Sequence, residues 1–375
     1  MANVLILGGG FAGVVAAESL AKRLGKEHQV TLISRQRDFI FYPALVKLAF
    51  GQVEVRDISY DLREAMLDRN VKFIEAEVAY PDPTDNSVIV PHGEVEGKVR
   101  YDYLLFALGR RMATEEVSGF FDYGNHLLTV NAALEFRTTL QNFHAGHAVL
   151  GYCQDARLTV PVFETAFALD RMLKERGERD QVRITIIVPG QLSGQLGGPE
   201  IEAHLQTAMQ EHGVEFIADF VVNQIKEKTI SAANGQQMDY DLLMLIPPFT
   251  GPAEAQYTGI ADPNGYVRVD RHMRVTGAHR MYAAGDCVNF VGPKMGHMAV
   301  LQGMVAAANI AAELEGHEPV ARYNHELMLV IDEGGRDSIY LQKPLWEYGE
   351  ANVKQGRFWG WAKRVHQKYW QKIHA

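Results

Sequence analysis

Three glycines near the start of the chain have the spacing of a phosphate-binding turn. An apolar run of strand length ends directly in Gly8-x-Gly10-x-x-Gly13, and residues 14–24 then have the composition of a helix. Gly8 permits a tight turn, Gly10 lets a pyrophosphate approach the backbone, and Gly13 lets the helix pack close to the strand. Free N–H groups at the start of a helix bind anions. The pattern predicts a dinucleotide-binding unit, although a glycine-rich loop can precede any helix.

Later motifs indicate which nucleotide is bound. An acid usually holds the ribose of NAD at the end of the second strand, but Ser34 and Arg35 stand there. These two could still contact a ribose hydroxyl, an adenine or a phosphate. Ala-Leu-Gly at 107–109 and Ala-Gly-Asp at 284–286 close two further strands. A flavin nucleotide needs a carboxylate beside its ribityl chain, and Asp286 meets that need, although a turn aspartate would look the same. The order of the motifs predicts FAD.

The segment after Asp286 predicts how the flavin ring is held. A long helix begins near Lys294, and its N-terminal end would present positive charge to the flavin pyrimidine. Lys294 could pair with the charge of the reduced flavin, or it could be a solvated loop lysine. His297 is a further proton-relay candidate, although a lone histidine is more often structural. The predicted cofactor contacts are Gly8, Gly10, Phe11, Ala12, Gly13, Ser34, Arg35, Pro43, Val78, Ala107, Gly109, Gly285, Asp286, Lys294, Met295 and Gly296.

These motifs, in this order, resemble those of the two-dinucleotide-domain flavoproteins. Within that class the chain most resembles the sulfide:quinone oxidoreductase and flavocytochrome c sulfide dehydrogenase group, with the type II NADH dehydrogenases as nearest relatives. Residues 31–34 end the second strand with serine, as that group often does, and 39–43 are similar to its flavin-contacting loop. Residues 246–249 and 293–296 resemble its two stretches beside the flavin ring. The similarity covers roughly residues 3–350.

The resemblance implies an α/β fold with two Rossmann-like nucleotide-binding domains, as in glutathione reductase, and a C-terminal membrane-associating region. At 375 residues the chain is too long for one ordinary domain. Residues 1–112 and 255–320 are expected to form a discontinuous FAD-binding domain, 113–254 the second domain, and 321–375 the C-terminal region. Tyr-Asp-x-Leu closes a strand in each of the first two blocks, which suggests an internal duplication, although two short matches could arise by chance. Residues 265–270 are also expected to form a strand.

The second block lacks the residues that an NADH site requires. Its first strand leads into residues 150–156, where only Gly151 of the glycine pattern is present. Tyr152 and Gln154 put side chains where a pyrophosphate needs bare backbone. The next strand ends in Val188-Pro189, with neither the acid expected for NAD nor an arginine for NADP. We therefore do not expect NAD(P)H to bind, and the block resembles a nucleotide domain that is reused as a scaffold.

The cysteines that the resemblance implies are not in their expected places. In this group a cysteine pair takes up sulfide sulfur and a thiolate passes electrons to the flavin. Alignment puts Leu158 and Leu327 at the two positions. Cys153 lies near the first position and a loop shift could bring it closer, whereas Cys287 should lie by the ribityl chain. Buried structural cysteines are the favoured alternative for both.

Glu164 is the best acid/base candidate. The matching helix position in the NADH-using relatives also holds a glutamate that faces the flavin, so the resemblance implies that Glu164 could relay a proton to quinone. A helix-surface or capping glutamate is the alternative. The predicted catalytic residues are Glu164, Lys294 and Cys153.

Charge is distributed unevenly along the chain. The net charge is −9, yet residues 351–375 carry six basic residues and no acid. Phe358, Trp361, Val365 and Tyr369 align at helical spacing, so the tail predicts a basic amphipathic helix at the surface of an anionic membrane. A tail docked on the acidic body is the alternative. The acidic body argues against nucleic acid as a partner.

The resemblance also implies that quinone enters from the bilayer through the C-terminal region, with Trp346, Tyr348, Phe358 and Trp361 as residues of the mouth. No run of about 20 apolar residues is present, which predicts that no helix spans a bilayer. The chain begins directly with a strand and shows no secretory signal. We therefore expect a peripheral protein on the cytoplasmic face of the cell membrane, either alone or as a homo-oligomer. Two cysteines exclude a cysteine-rich metal centre.

Three functions remain open at this point. The first is a membrane-bound flavoprotein that resembles sulfide:quinone oxidoreductase and passes two electrons from a small reduced donor, such as sulfide, through FAD to quinone. The second is a type II NADH:quinone oxidoreductase with a rebuilt second nucleotide site. The third is a non-catalytic relative that binds FAD and acts through a membrane or protein partner.

Overall fold

The computed structural model describes residues 1–192, 196, 198–334, 337–346 and 349–375. In these ranges the helices are α1 (Phe11–Leu24), α2 (Leu45–Ala49), α3 (Leu62–Leu67), α4 (Phe120–Tyr123), α5 (Val130–Gln141), α6 (Val160–Arg176), α7 (Glu202–Glu211), α8 (Gly296–Leu314) and α9 (Arg357–His374). The strands are β1 (Asn3–Leu7), β2 (Gln29–Ser34), β3 (Asp38–Ile40), β4 (Ser59–Asp61), β5 (Lys72–Glu77), β6 (Tyr80–Asp82), β7 (Ser87–Val90), β8 (His92–Gly93), β9 (Gly97–Arg100), β10 (Tyr103–Phe106), β11 (Arg111–Met112), β12 (Gly146–Tyr152), β13 (Val182–Ile187), β14 (Val214–Ile217), β15 (Val222–Lys226), β16 (Thr229–Ala232), β17 (Gln237–Asp239), β18 (Leu242–Ile246), β19 (Phe249–Thr250), β20 (Met281–Ala283), β21 (Glu326–Asp332), β22 (Ser338–Pro344) and β23 (Asn352–Gln355).

The largest sheet is built on the N-terminal apolar run. Its order is β20-β10-β1-β2-β5-β8, and the parallel registers place Leu5 opposite both Leu104 and Thr31. Residues 4–7 are completely buried, as a central strand of a parallel sheet requires. Strand β20 returns late in the chain and pairs in parallel with β10. The segments that follow β1, β10 and β20 therefore emerge at one edge of one sheet, which is where ligands bind in such folds.

Glycines let two helices pack closely at this edge. A Cβ on Gly13 of α1 would lie 1.9 Å from the carbonyl oxygen of Gly8, and a Cβ on Gly303 of α8 would lie 2.5 Å from the α1 backbone. A Cβ on Gly296, at the start of α8, would lie 3.2 Å from the ring of Phe11. Helix α8 therefore packs directly on α1, and its N-terminus lies beside the glycine turn.

A second sheet, wholly parallel, has the order β14-β13-β12-β18. Helices α6 and α7 pack against it. An apolar cluster joins it to the antiparallel strands β15, β16 and β17, and includes Val149, Cys153, Phe220 and Ile230. With helices packed on two parallel sheets, the chain has the α/β architecture that the sequence predicts.

The C-terminal region combines an antiparallel sheet with a long helix. Strands β21, β22 and β23 are neighbours in that order, and α9 packs on β21 and β22. Helix α9 buries Gly360 and Trp370, whereas Phe358 and Trp361 remain largely exposed. The predicted tail helix is present in the structure, and its two faces differ in burial.

Two features of secondary structure differ from the sequence expectation. Residues 265–270, expected to form a strand, make only isolated bridges. The Asp262 and Asp270 carboxylates each accept backbone N–H groups two and four residues further on, and the resulting turns at both ends of the segment limit its pairing to single residues. The sequence pattern also fails to predict α5, although the Thr129 hydroxyl caps its start by accepting a backbone N–H at 3.2 Å.

Candidate cofactor and catalytic site

The turn after β1 leaves backbone open where a pyrophosphate would lie. Gly8 has φ +103°, and a Cβ there would lie 2.3 Å from the carbonyl oxygen of Ala107, so the turn requires glycine. A Cβ on Gly10 would meet no described atom within 4 Å. Gly10 is also the N-cap of α1, and no side chain in the described ranges caps that helix. Its first N–H groups therefore suit a bound phosphate.

Ser34 lies directly beside this turn. A Cβ on Gly9 would lie 3.0 Å from the Ser34 hydroxyl oxygen. That hydroxyl donates to the carbonyl oxygen of Gln36 at 2.8 Å, and Arg35 is exposed. Ser34 therefore adjoins the turn where a ribose is expected, and its contact with FAD remains a prediction, as does that of Arg35.

Asp286 lies beside an arginine that the sequence reasoning missed. The Nε atom of Arg110 is 3.4 Å from Oδ2 of Asp286, and the guanidinium is 3.7 Å from the ring centre of Phe249. Arg110 Nε and Asn289 Oδ1 are buried and have no hydrogen-bond partner in the described structure. Buried polar atoms are normally paired, so these atoms fit a site that the ribityl chain of FAD completes. The signal in the sequence was the position of Arg110 directly after the Ala-Leu-Gly motif.

Tyr42 is a second residue missed by the sequence reasoning. Tyr42 is 44% exposed, yet loss of solvation around its hydroxyl raises the pKa of that group, while the charges of Arg110 and Arg35 oppose the shift and Asp286 adds to it. All three charges therefore lie near the Tyr42 hydroxyl. Tyr42 directly precedes Pro43, which is exposed, and both lie in the loop expected to contact the flavin.

Lys294 is buried at the start of α8. Its ammonium donates to the carbonyl oxygens of Val288 and, at 3.4 Å, of Phe290, and lies 4.7 Å from the ring centre of Tyr266. Burial, aided by repulsion from Arg157, lowers the pKa of Lys294 to about 7, and Asp286 opposes the shift. The alternative of a solvated loop lysine is therefore wrong.

The two positions expected to hold redox cysteines adjoin this same helix start. The carbonyl oxygen of Arg157, one residue before Leu158, accepts the backbone N–H of Lys294 at 2.7 Å. The ring of His297 lies 3.1 Å from the carbonyl oxygen of Glu326 and 3.2 Å from the N–H of Met328, on either side of Leu327. The fold therefore brings both segments to the place that the resemblance implies, with leucine at each position.

Neither cysteine has the environment of a reactive thiolate. Cys153 is completely buried in the apolar cluster between the second sheet and β15–β17. Cys287 is also completely buried, and its thiol donates to the carbonyl oxygens of Ala284 and Phe106. Burial raises the pKa of each thiol to about 12. The structure argues against Cys153 as a catalytic residue, because a thiolate there would lose its solvation without gaining a partner.

Glu164 is buried and paired with the C-terminal helix. Its carboxylate forms an ion pair with Lys363 of α9 and accepts the backbone N–H of Asp332 at 2.9 Å. Lys363 also donates to the carbonyl oxygen of Val330 at 3.2 Å. The alternative of a helix-surface glutamate is wrong, and Glu164 joins α6, β21 and α9.

The remaining predicted residues lie in different places. Phe11 packs against Trp370 of α9 with ring centres 4.8 Å apart. Trp346 is half-buried and packs edge-on against Phe290, with 4.6 Å between ring centres, and its place at a quinone mouth stays a prediction. Phe358 and Trp361 are 60% and 53% exposed. Tyr348 lies outside the described residues. Among the other predicted cofactor contacts, Ala12, Val78 and Ala107 are buried, and Gly109 has φ +77°. The backbone N–H of Gly285 donates to the side-chain oxygen of Gln302 at 2.7 Å, and Met295 is the N-cap of α8.

Comparisons with known proteins agree with this site. The profile of the pyridine nucleotide-disulphide oxidoreductase family matches residues 2–303. The chain is 26% identical over 390 residues to the sulfide-quinone reductase of Aquifex aeolicus, covering 98% of this chain and 90% of that protein. It is 24% identical over 339 residues to the type II NADH:quinone oxidoreductase of Staphylococcus haemolyticus, covering 84% and 83% respectively.

The solved structures give the same picture. The X-ray structure of the Aquifex aeolicus sulfide:quinone oxidoreductase aligns with a TM-score of 0.90 at 25% identity, covering 99% of this chain and 91% of that one. Fold, cofactor cradle and comparisons together define a flavin-dependent oxidoreductase of the two-nucleotide-domain class. The chain belongs to the pyridine nucleotide-disulphide oxidoreductase family. The predicted resemblance to sulfide:quinone oxidoreductases and the predicted FAD cofactor are confirmed.

Proposed function

We propose that this chain oxidises a small reduced donor and passes two electrons through FAD to a membrane quinone. The observation that carries the proposal is the buried Glu164–Lys363 ion pair, which joins α6, where the resemblance implies an acid facing the flavin, to a helix with an exposed apolar face. The names of the relatives from Aquifex aeolicus and Staphylococcus haemolyticus support quinone as the acceptor. Bound FAD supplies the two-electron chemistry.

The outer face of α9 supports contact with a lipid surface. Phe358, Trp361, Val365 and Tyr369 are between 42% and 62% exposed and repeat at helical spacing. Basic residues flank them, as in helices that lie at the boundary of anionic membranes. None of the helices in the described ranges is long and apolar enough to cross a membrane. We infer that the protein is held at the cytoplasmic face of the membrane through this stripe.

Reduction of a quinone consumes two protons, and the buried pair can supply one. The Glu164 carboxylate is held by Lys363 and the Asp332 N–H, so its position is fixed relative to α9. In this ion pair the proton is on the Lys363 ammonium, so Lys363 would pass it to Glu164 and Glu164 would pass it to quinone. The Lys363 amine, whose side chain is 19% exposed, would then regain a proton from solvent. General acid–base residues of this kind contribute roughly 10²–10⁴-fold to rate.

The absence of suitable redox cysteines supports a direct reaction between the electron donor and the flavin. Both aligned positions hold leucine, and both cysteines of the chain are buried with raised pKa values. A relay through a protein disulfide has no suitable residues here. Sulfide or another small reduced sulfur species remains the proposed donor, and it would have to reach the flavin without a cysteine intermediate.

A two-step anaerobic experiment tests the proposal. Oxidised holoprotein is mixed with sulfide, and separately with NADH, while the flavin absorbance is followed. Bleaching by sulfide supports the proposed donor, and bleaching by NADH at low concentration would move the assignment to an NADH:quinone oxidoreductase. If neither bleaches the flavin, the proposed donor is wrong and a non-catalytic role gains support.

The acceptor side is tested with chemically reduced protein. Reoxidation by a short-chain quinone should be roughly a hundredfold slower in Glu164→Gln than in the parent protein. Glu175→Gln is the matched control, because Glu175 lies on the same helix but pairs with Arg171 at the surface. Equal rates in the two variants would remove Glu164 from the proton path.

A further inference from the structure

A cavity of about 650 Å³ lies between α9, α2 and α6. Its wall includes Lys47 from α2, Arg56 from the following turn, and Arg171 from α6. Helix α9 adds Arg364 and Lys368. The mechanism proposed above uses none of these five cations.

The same wall also carries acidic groups, namely Glu164, Asp332, Asp57 and the terminal carboxylate of Ala375. Glu164 pairs with Lys363, as described above. The Asp332 carboxylate accepts the backbone N–H of Gly334 at 3.0 Å, and the Asp57 carboxylate accepts that of Glu54 at 2.9 Å. Lys363 therefore neutralises Glu164, whereas Asp332 and Asp57 accept backbone N–H groups and keep their charge.

Four of the five cations lack an acidic partner. Arg171 pairs with Glu175 at 2.9 Å. Lys47, Arg56, Arg364 and Lys368 have no carboxylate within 4.0 Å in the part of the chain that the structure describes. These four cations outnumber the carboxylates of the wall that have no cationic partner, and a bound anion would reduce the repulsion between the cations.

The environment of Lys47 agrees with this excess of positive charge. Burial lowers the pKa of the Lys47 amine, and the charges of Lys363 and Arg364 lower it further, while Asp332 and Glu164 oppose the shift. An anion beside Lys47 would stabilise its charged form. The cations come from α2, the turn after it, and α9, so one ligand could be held from several sides.

We propose that this cavity binds a phosphate-bearing anion, in the form of a phospholipid headgroup or a soluble phosphate ester. Arg364 and Lys368 lie three and seven residues after Trp361, so they flank the exposed apolar stripe of α9. A lipid whose acyl chains contact the stripe could place its phosphate among these cations. Arginine and lysine together are the usual protein ligands of phosphate. The proposal does not depend on the identity of the electron donor. Glu164, assigned above to the proton path to quinone, also lines this cavity, so the test must separate a phosphate-bearing anion from a quinone at the same place.

Binding of full-length holoprotein to defined probes tests the site. Thermal unfolding is measured with inorganic phosphate and with glycerol phosphate, and flotation is measured with phosphatidylcholine vesicles with and without phosphatidylglycerol. The cavity variant is Lys47→Gln with Arg364→Gln. The matched control is Lys354→Gln with Lys372→Gln, which removes the same charge outside the cavity lining.

The cavity variant should bind the phosphate-bearing probe roughly tenfold or more weakly, whereas the control should change little. A response to glycerol phosphate identifies a soluble ester as sufficient, and a response only to phosphatidylglycerol vesicles identifies the lipid. Equal loss in both variants would reduce the effect to general surface charge and overturn the proposal. The proposal would also be overturned if none of the phosphate-bearing probes had an effect. It would be overturned as well if a short-chain quinone bound to the cavity and no phosphate-bearing probe did.

A second measurement tests the site in the parent protein, so it does not depend on whether the cavity variant folds. In the parent protein, acetylation of the Lys47 amine should be slowed by the bound phosphate probe, while acetylation of exposed Lys372 should not. Lys47→Arg should restore binding in part, because arginine keeps the charge. Equal labelling of Lys47 with and without the probe would contradict the assignment.

Discussion

The turns after β1 and β12 have equivalent places in two parallel sheets, yet only the first leaves room for a ligand. At Gly10, two residues after the first glycine of the pattern, an added Cβ would meet no described atom within 4 Å, whereas Cys153, two residues after Gly151, is a side chain that is completely buried. Tyr152 and Cys153, which follow Gly151, are almost completely buried. The second turn is therefore filled by its own side chains, and we attribute the expected loss of NADH binding to this packing as well as to missing glycines.

The first turn is also covered by the C-terminal helix. Trp370 of α9 packs against Phe11 of the turn and stacks on Phe39, with ring centres 5.6 Å apart. His374 lies 2.6 Å from the Glu18 carboxylate of α1. Helix α9 therefore packs on α1, the helix that begins at the nucleotide turn. These contacts link cofactor binding to a segment far away in the sequence.

We call the part of the chain built on the sheet of β1 the first half and the part built on the sheet of β12 the second half. The substitution expected to cause the largest loss of stability and FAD binding in the first half is Gly13→Ala. Its Cβ would lie 1.9 Å from the Gly8 carbonyl oxygen, so α1 must move away from the turn, at a cost of more than about 3 kcal/mol. FAD content and thermal unfolding of the purified protein measure the outcome. Gly151→Ala, whose Cβ meets backbone in the second half, should destabilise the chain but leave FAD bound at temperatures where it remains folded. Loss of FAD in both variants would show that the halves do not act separately.

Trp370→Ala should weaken the first half through the tail. Removal of a buried tryptophan costs about 3 kcal/mol or more, and the cavity would lie against Phe11. The midpoint of thermal unfolding and the dissociation constant of FAD should both change. Trp361→Ala, on the exposed face, should alter neither in the absence of lipid. Unchanged FAD affinity in Trp370→Ala would separate the tail from the cofactor site.

Gly10→Val should act on the cofactor alone. Its side chain would enter the open space of the turn, so the fold is kept while FAD affinity falls by roughly tenfold or more. Titration of FAD-depleted protein gives the affinity, and circular dichroism checks the fold. An unchanged affinity would mean that the pyrophosphate does not lie at Gly10.

The smallest effect is expected from Cys153→Ala. The thiol belongs to the apolar cluster of the second half, so its removal should cost about 1 kcal/mol of stability and leave flavin reduction unchanged. Stopped-flow absorbance, with the donor that reduces the flavin in the anaerobic experiment, measures the rate of flavin reduction. A large loss of rate at full FAD content would restore Cys153 as a redox residue.

Local patterns in the sequence predicted much of the cofactor site. The glycine spacing, the Ala-Gly-Asp motif and the tail periodicity depend on backbone geometry and on short-range side-chain order, which a linear pattern records. The role of Arg110 was missed, because its contacts with Asp286 and Phe249 join residues far apart in the chain. The strand expected at 265–270 was wrong because turns closed by Asp270 compete with sheet pairing.

The sequence by itself determined that the first turn must be glycine and that the second lacks the same pattern, and it predicts leucine at the two positions where the resemblance implies redox cysteines. Tertiary structure decided that Glu164 meets Lys363, 199 residues away, and that basic residues of α2 and α9 share one cavity. The physical reason is that a backbone requirement is local, whereas the charge and burial of a side chain depend on every element packed around it.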